Sequence, residues 1–254
     1  MFTPKGKFAW YELMTSDTKA SGKFYSDVVG WTTQEMDSPG QPYTTFNLGA
    51  VGMAGMLHLE GHTAWLGYIS VDDVDAHIEK IVAAGGKLWR PAMDVPGMLR
   101  FAVMSDPQGA AIAVFTANPA MPSPVRPAPP APGTISWHEL YTTDIDAGMD
   151  FYNKMFGWTK VSDMDMGPMG LYRIFDEGDH NEMGDGGMMN KAPQIPVSCW
   201  NFYFNVDSIK AAVKRVESGG GKVLNGPMQV PGGSWIIQGQ DPQGAMFSLV
   251  SIKE

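Results

Sequence analysis

Trp10-Tyr11-Glu12-Leu13 returns 127 residues later as Trp137-His138-Glu139-Leu140. At the same offset Asp17 returns as Asp144, Phe24-Tyr25 as Phe151-Tyr152, and Gly30-Trp31 as Gly157-Trp158. Further on the offset is 135: Asp72 matches Asp207, Gly85-Gly86-Lys87 matches Gly220-Gly221-Lys222, and Asp106-Pro107-Gln108-Gly109-Ala110 matches Asp241-Pro242-Gln243-Gly244-Ala245. The eight extra residues fall between Trp158 and Asp207. A period this long is a duplicated domain, not a solenoid unit. A site built in one half therefore has a counterpart in the other.

The boundary between the halves is written in proline. Ala117 to Gly133 carries seven prolines. Proline fixes φ and lacks a donor N–H, so this stretch cannot enter a helix or a sheet interior and is expected to be an extended connector. The expected division is a first domain over 1–117, a linker over 118–133 and a second domain over 134–254. Each domain, of roughly 115 residues, is large enough to bury its own core.

Net charge is −9 with a pI near 5.0. No basic stripe is available to neutralise nucleic-acid phosphates or an anionic membrane surface. No apolar run approaches the ~20 residues needed to cross a bilayer, and the amino terminus has no apolar h-region. The single cysteine, Cys199, cannot form an internal disulfide, which fits a reducing compartment. The expected location is cytoplasmic, with neither nucleic acid nor membrane as a partner.

Local signals predict strand, helix and strands, repeated. Phe8 to Thr15 reads as a strand, and Asp17 caps a helix that runs to Val29 and stops at Gly30. Tyr43 to Leu48, Val51 to Leu59 and Trp65 to Val71 read as strands. Asp72 or Asp73 caps a second helix through Ala84, with Val74, Ile78, Ile81 and Val82 at helical spacing. Lys87 to Arg90, Leu99 to Met104 and Ala110 to Thr116 close the half. The second half repeats the pattern, with helices near 144–156 and 207–218.

These residues, each matched in the other half, resemble the vicinal oxygen chelate superfamily, which includes glyoxalase I, bleomycin-resistance proteins and extradiol dioxygenases. The resemblance implies an α+β fold of tandem domains, each made of two βαβββ modules in a curled mixed sheet whose concave face holds the ligand. It also implies that the two halves pack together, leaving a monomer or a homodimer as the assembly. Active members hold a divalent metal on that face through His, Gln or Glu. Counting from the motifs, the corresponding positions are Trp10 and Trp137, Leu66 and Asn201, Ala113 and Ser248, and positions near Met56 and Met188. Tryptophan, leucine, alanine and methionine offer nothing to a hard cation. No metal site and no cofactor are therefore expected, and a divalent metal stays open as the alternative.

Other residues carry the chemistry that remains. Glu12 and Glu139 lie mid-strand, two residues beyond Trp10 and Trp137, and strand alternation puts them on the implied ligand face. Each is a candidate catalytic base, a ligand contact, or a buried structural carboxylate. Candidate ligand-binding residues are Trp10, Met56, His58, Trp65, Tyr68, Trp137, Tyr141, Met188, Trp200, Asn201, Tyr203 and Ser248, which together would form an adaptable, largely apolar lining. His138 is expected to point away from Glu139, toward the helix side. The acidic stretch Asp176 to Asp185 reads as a solvated loop or a lid, and Asp106 and Asp241 as turn formers. Gly219-Gly220-Gly221 follows a helix and so makes no phosphate cradle.

Three readings of function follow. One is a binder of a small apolar or aromatic molecule that works without the family's metal. The second is a metal-dependent glyoxalase-like lyase or isomerase, or a dioxygenase. The third is a metal-free enzyme with a glutamate general base.

Overall fold

The computed structural model describes residues 5–36, 42–120 and 125–254. Part of the expected linker, 121–124, lies outside the described residues.

The first repeat runs β1 (Phe8–Thr15), α1 (Thr18–Val29), β2 (Thr32–Met36), β3 (Tyr43–Leu48), β4 (Val51–His58), β5 (Ala64–Ser70), α2 (Val74–Ala83), β6 (Lys87–Val95), β7 (Leu99–Ser105) and β8 (Ala111–Ala117). The second runs β9 (Ile135–Thr142), α3 (Ile145–Phe156), β10 (Thr159–Asp165), β11 (Leu171–Asp176), β12 (Gly186–Asn190), β13 (Cys199–Asn205), α4 (Ile209–Ser218), β14 (Lys222–Gln229), β15 (Trp235–Gln240) and β16 (Met246–Ser251). The strands form two eight-stranded mixed sheets, ordered β2-β3-β4-β1-β5-β8-β7-β6 and β10-β11-β12-β9-β13-β16-β15-β14. The fold is α+β with two βαβββ modules per repeat, as expected.

The helix caps follow the sequence closely. Asp17 accepts from Ala20 N at 2.9 Å, Asp73 from Ala76 N at 3.0 Å, and Asp144 from Asp146 N and Ala147 N. Gly30 and Gly157 close α1 and α3 at φ 89° and 79°, a conformation costly for any residue with a Cβ. At α4 the cap is Ser208, the counterpart of Asp73, and Asp207 pairs with Arg215.

Two strand expectations need correction. β2 was not expected: all five of its residues are exposed, so no hydrophobic alternation marks it. β6 continues past Arg90 through Pro91 to Val95. It is the last strand of its sheet, and its pairing with β7 shifts register between Arg90 and Met93, so a residue without N–H is accommodated.

In space the chain divides into two compact units, each drawing one module from each repeat. One contains Met1–Trp10, Leu66–Ser123 and His138–Trp200; the other contains Tyr11–Trp65, Pro124–Trp137 and Asn201–Glu254. The first unit's core is an aromatic cluster in which Trp158 stacks on Phe175 at 4.7 Å and on Tyr152 at 4.8 Å, with Trp200 edge-on to Tyr152. The second unit has the equivalent set, Tyr25, Trp31, Phe46 and Trp65, joined by Phe204.

The repeated Asp-Pro-Gln-Gly turn ties the two modules of each unit together. Asp106 Oδ1 accepts from Gln108 N and Ala110 N, as a turn former does, while Oδ2 accepts from Tyr152 Oη of α3 at 3.2 Å. Gln108 Oε1 accepts from Asp144 N at 2.6 Å at the start of the same helix. In the other unit Asp241 Oδ2 accepts from Tyr25 Oη at 3.1 Å, and Gln243 Oε1 accepts from Ser21 Oγ at 3.0 Å. The motif is thus a turn whose two polar side chains dock a helix from the opposite repeat.

Candidate functional site

In the first unit the polar centre is Glu139. It lies mid-strand in β9, is 5% exposed, and pairs with Gly187 of β12. Tyr141, two residues on, donates its hydroxyl to Oε2. Tyr172 of β11 donates to Oε1 at 3.0 Å. Tyr172 reaches across β12 because Gly187 has no side chain: a Cβ there would stand inside the phenol ring. The result is a buried carboxylate held between two phenols. Burial, with the Glu139 charge adding to it, pushes the Cys199 thiol up to about 11, so it is an unreactive neighbour at physiological pH.

The second unit carries the counterpart from the first repeat. Glu12 of β1 pairs with Gly55 of β4, and the Tyr43 phenol lies over Gly55 as Tyr172 lies over Gly187. Met14 stands where Tyr141 stands in the second repeat. The first-repeat glutamate therefore has no tyrosine two residues after it.

The second unit also contains a polar row on β13, β15 and β16. Asn201 Nδ2 donates to Ser248 Oγ at 2.6 Å, and Gln238 Nε2 donates to Tyr203 Oη at 3.2 Å. Tyr203 pairs with Ser248, and Ser248 with Gln238. The corresponding first-repeat residues, Leu66, Tyr68, Val103 and Ala113, retain only the tyrosine hydroxyl. In the first unit Tyr68 pairs with Ala113 and packs against Phe101 and Phe115.

The remaining candidates are dispersed. Trp10 and Trp137 are half-buried on their strands. Met56 is 1% exposed and lies against Gly22 of α1; Met188 is fully buried and pairs with the equally buried Leu140. Strand alternation thus turns both methionines to the face opposite their neighbouring glutamate. Trp65 and Trp200 are in the aromatic cores, where their indole N–H groups donate to Tyr25 Oη at 2.8 Å and Tyr152 Oη at 2.9 Å. Both core tryptophans fall one residue off the expected ligand-facing parity. His58 is exposed at the end of β4, 3.4 Å from Glu60. The sequence reading missed Tyr43, Tyr172, Gln238 and the two glycines that the phenols cross.

The acidic stretch is a loop exposed at 178–180 and 182–183, as expected of a solvated loop, but its first two residues are not solvated. Asp176 and Glu177 are buried. Glu177 accepts from Phe8 N at 3.2 Å and pairs with His138 Nδ1 at 2.8 Å; burial pushes its carboxyl up, and the His138 charge opposes that. Among the described residues, Asp176, Asp179 and Asp185 are the only cluster of three or more such groups close enough to share a cation. Lys7 already supplies one: its ammonium pairs with Asp179 and lies 3.9 Å from Asp185. The stretch is a clamp on the start of β1.

The positions that the resemblance implies for a metal carry residues that do not suit a divalent cation. In the first repeat they carry Trp10, Leu66 and Ala113. In the second, Asn201 and Ser248 are neutral and hydrogen-bond to one another, and Trp137 offers no ligand atom. Hard cations call for several converging oxygen or nitrogen donors, including charged ones.

The sequence matches the Glyoxalase/Bleomycin resistance protein/Dioxygenase superfamily over residues 7–114 and 134–249. It is 33% identical over 249 residues to a Mycobacterium tuberculosis protein named "Putative glyoxylase CFP32", covering 95% of this chain and 93% of that one. It is 32% identical over 272 residues to the anthracycline biosynthesis protein DnrV of Streptomyces peucetius, covering 100% and 95%. Among solved structures, a Mn(II)-bound glyoxalase from Novosphingobium aromaticivorans aligns with a TM-score of 0.66 at 15% identity, over 98% of this chain and 83% of that one. A 2,2',3-trihydroxybiphenyl 1,2-dioxygenase from Sphingomonas wittichii aligns at 0.68 and 12% identity, over 96% and 90%. Those two likenesses show the fold alone, and no helix of the described residues is long and apolar enough to cross a membrane. With both repeats matched and relatives spanning it nearly end to end, the chain belongs to the Glyoxalase/Bleomycin resistance protein/Dioxygenase superfamily.

Proposed function

We propose that this protein binds a small aromatic molecule without the family's divalent metal. The observation that carries the reading is the Asn201–Ser248 hydrogen bond, which joins two neutral side chains at positions where the resemblance implies metal ligands. The aromatic ligand class is supported by the phenol of Tyr203, which lies two residues beyond Asn201 on the same strand and pairs with Ser248, where a flat ring offers large contact area. The anthracycline biosynthesis relatives point the same way, since anthracyclines are polycyclic aromatics. The test is a tryptophan-fluorescence titration with 2,6-dihydroxyanthraquinone, before and after exhaustive chelation. Saturable, stoichiometric quenching unaffected by chelation supports the reading; no quenching, or quenching that needs added metal, refutes it.

A second reading has its own observation. Glu139 is a buried carboxylate that accepts from two phenol hydroxyls, an arrangement able to accept a proton from a substrate and hold it on the carboxyl. On this reading the protein is a metal-free enzyme with Glu139 as base. If a turnover is found, Glu139→Gln should abolish it, and retained turnover would remove the reading.

A further inference from the structure

Among the described side chains of the second unit, one buried polar atom has no partner. Asn201 is 5% exposed, and its Nδ2 is committed to Ser248 Oγ at 2.6 Å, but its Oδ1 accepts nothing. A buried amide oxygen without a donor costs about 1–3 kcal/mol, so native interiors rarely leave one unfilled without reason. The first repeat shows that the fold does not need this group, because Leu66 and Ala113 occupy the matching positions with no polar atom. The polar pair is therefore an addition specific to the second repeat.

We infer that Asn201 and Ser248 form a hydroxyl-recognition subsite, and that the ligand is a hydroxylated aromatic whose phenolic or enolic O–H fills the vacant acceptor. The Ser248 hydroxyl accepts from Asn201, so its own proton is available to donate to the ligand oxygen. A hydroxyl also fits if the amide is turned the other way, since it both donates and accepts. A hydrocarbon fits neither arrangement and leaves the acceptor empty. Sites built to bond a substrate hydroxyl reject the analogue lacking it more strongly than apolar pockets reject size changes. This rests on the reading that the protein binds an aromatic molecule.

The test compares 2,6-dihydroxyanthraquinone with unsubstituted anthraquinone, titrated against the full chain and against two variants that copy the first repeat, Asn201→Leu and Ser248→Ala. The dihydroxy compound should bind at least ~10-fold more tightly to the native chain, and this advantage should fall toward unity in Asn201→Leu while anthraquinone binding persists. Ser248→Ala, the smaller change, should reduce the advantage without abolishing it. Equal affinity of the two probes for the native chain, or an advantage that survives both variants, overturns the subsite and assigns Oδ1 to a buried water only. Failure of both probes to bind overturns the aromatic-ligand reading itself, and the subsite with it.

Discussion

The Tyr172 phenol occupies the space that a side chain on Gly187 would fill, and only by crossing there does it reach Glu139. Gly187 has an ordinary strand conformation, so alanine is tolerable to the backbone and the clash is purely with the ring. Gly187→Ala should destabilise the chain by about 1–3 kcal/mol, the usual cost of overfilling a packed site. In a Tyr172→Ala background the same change should be neutral or slightly stabilising. Chemical denaturation of the four proteins gives the cycle; additive effects would mean that ring and glycine do not meet.

Tyr152 and Tyr25 each bridge a buried aspartate and a buried indole. Tyr152→Phe strands Asp106 Oδ2 and Trp200 Nε1, and Tyr25→Phe strands Asp241 Oδ2 and Trp65 Nε1. Each should cost about 1–3 kcal/mol, since unpaired buried polar groups lose hydration without recompense. The two losses should be similar, because the repeats build the same bridge twice. Thermal melts read the outcome; a variant melting with the native chain would show that its bridge contributes nothing.

Acid should loosen the clamp at Asp176. Burial alone would push this carboxyl up, but hydrogen bonds from Asn181 N, Thr159 Oγ and Asp179 N outweigh it and hold it at about 2. A folded-state value below the ordinary 3.8 gives stability that is present above that pH and lost as pH falls through about 2. Asp106 and Asp241, raised by burial against backbone donors, have the opposite sign and become more favourable as they protonate. Between pH 4 and 2, Asp176→Asn should therefore lose less stability than the native chain. Equal slopes would contradict the assignment.

Glu139→Gln preserves volume, but an amide has one acceptor oxygen where the carboxylate has two. The amide nitrogen then faces one of the two phenols, and Tyr141 or Tyr172 has to turn its hydroxyl from donating to a carboxylate to accepting from a neutral N–H. Replacing a charged acceptor by a neutral amide here should cost about 1–3 kcal/mol of stability. Chemical denaturation reads it, and an unchanged midpoint would mean that the two phenol hydrogen bonds contribute nothing.

Most of the fold was legible because the chain states it twice. Asp17 and Asp144 before their helices, and Gly30 and Gly157 after them, mark each boundary with residues whose backbone roles are narrow. The strand β2 was hidden because every residue in it is exposed, leaving no alternation to read. The site was legible only in part. Glu139, Tyr141, Asn201, Tyr203 and Ser248 could be placed by counting along strands from the motifs. Met56, Met188, Trp65 and Trp200 turn to the packed side of their strands, one residue out of step with Leu66, Asn201 and the two glutamates, a difference that spacing alone does not display. Tyr172 and Tyr43 reach their glutamates' pairing partners from a strand away, a relation that no spacing along one strand displays. A tyrosine on one strand facing a glycine on the next, in both repeats, was the available signal.

The account depends on the old cation positions having lost their charge and their ligands. Native mass spectrometry with elemental analysis, on protein purified without added metal, tests this most directly. The account predicts a mass equal to the polypeptide, alone or with an organic adduct, and less than ~0.1 metal per chain, far from the full occupancy expected of a closed set of converging ligands. One tightly held transition metal or Mg²⁺ per chain, retained through chelation and lost on substituting Glu12 or Glu139, would contradict it.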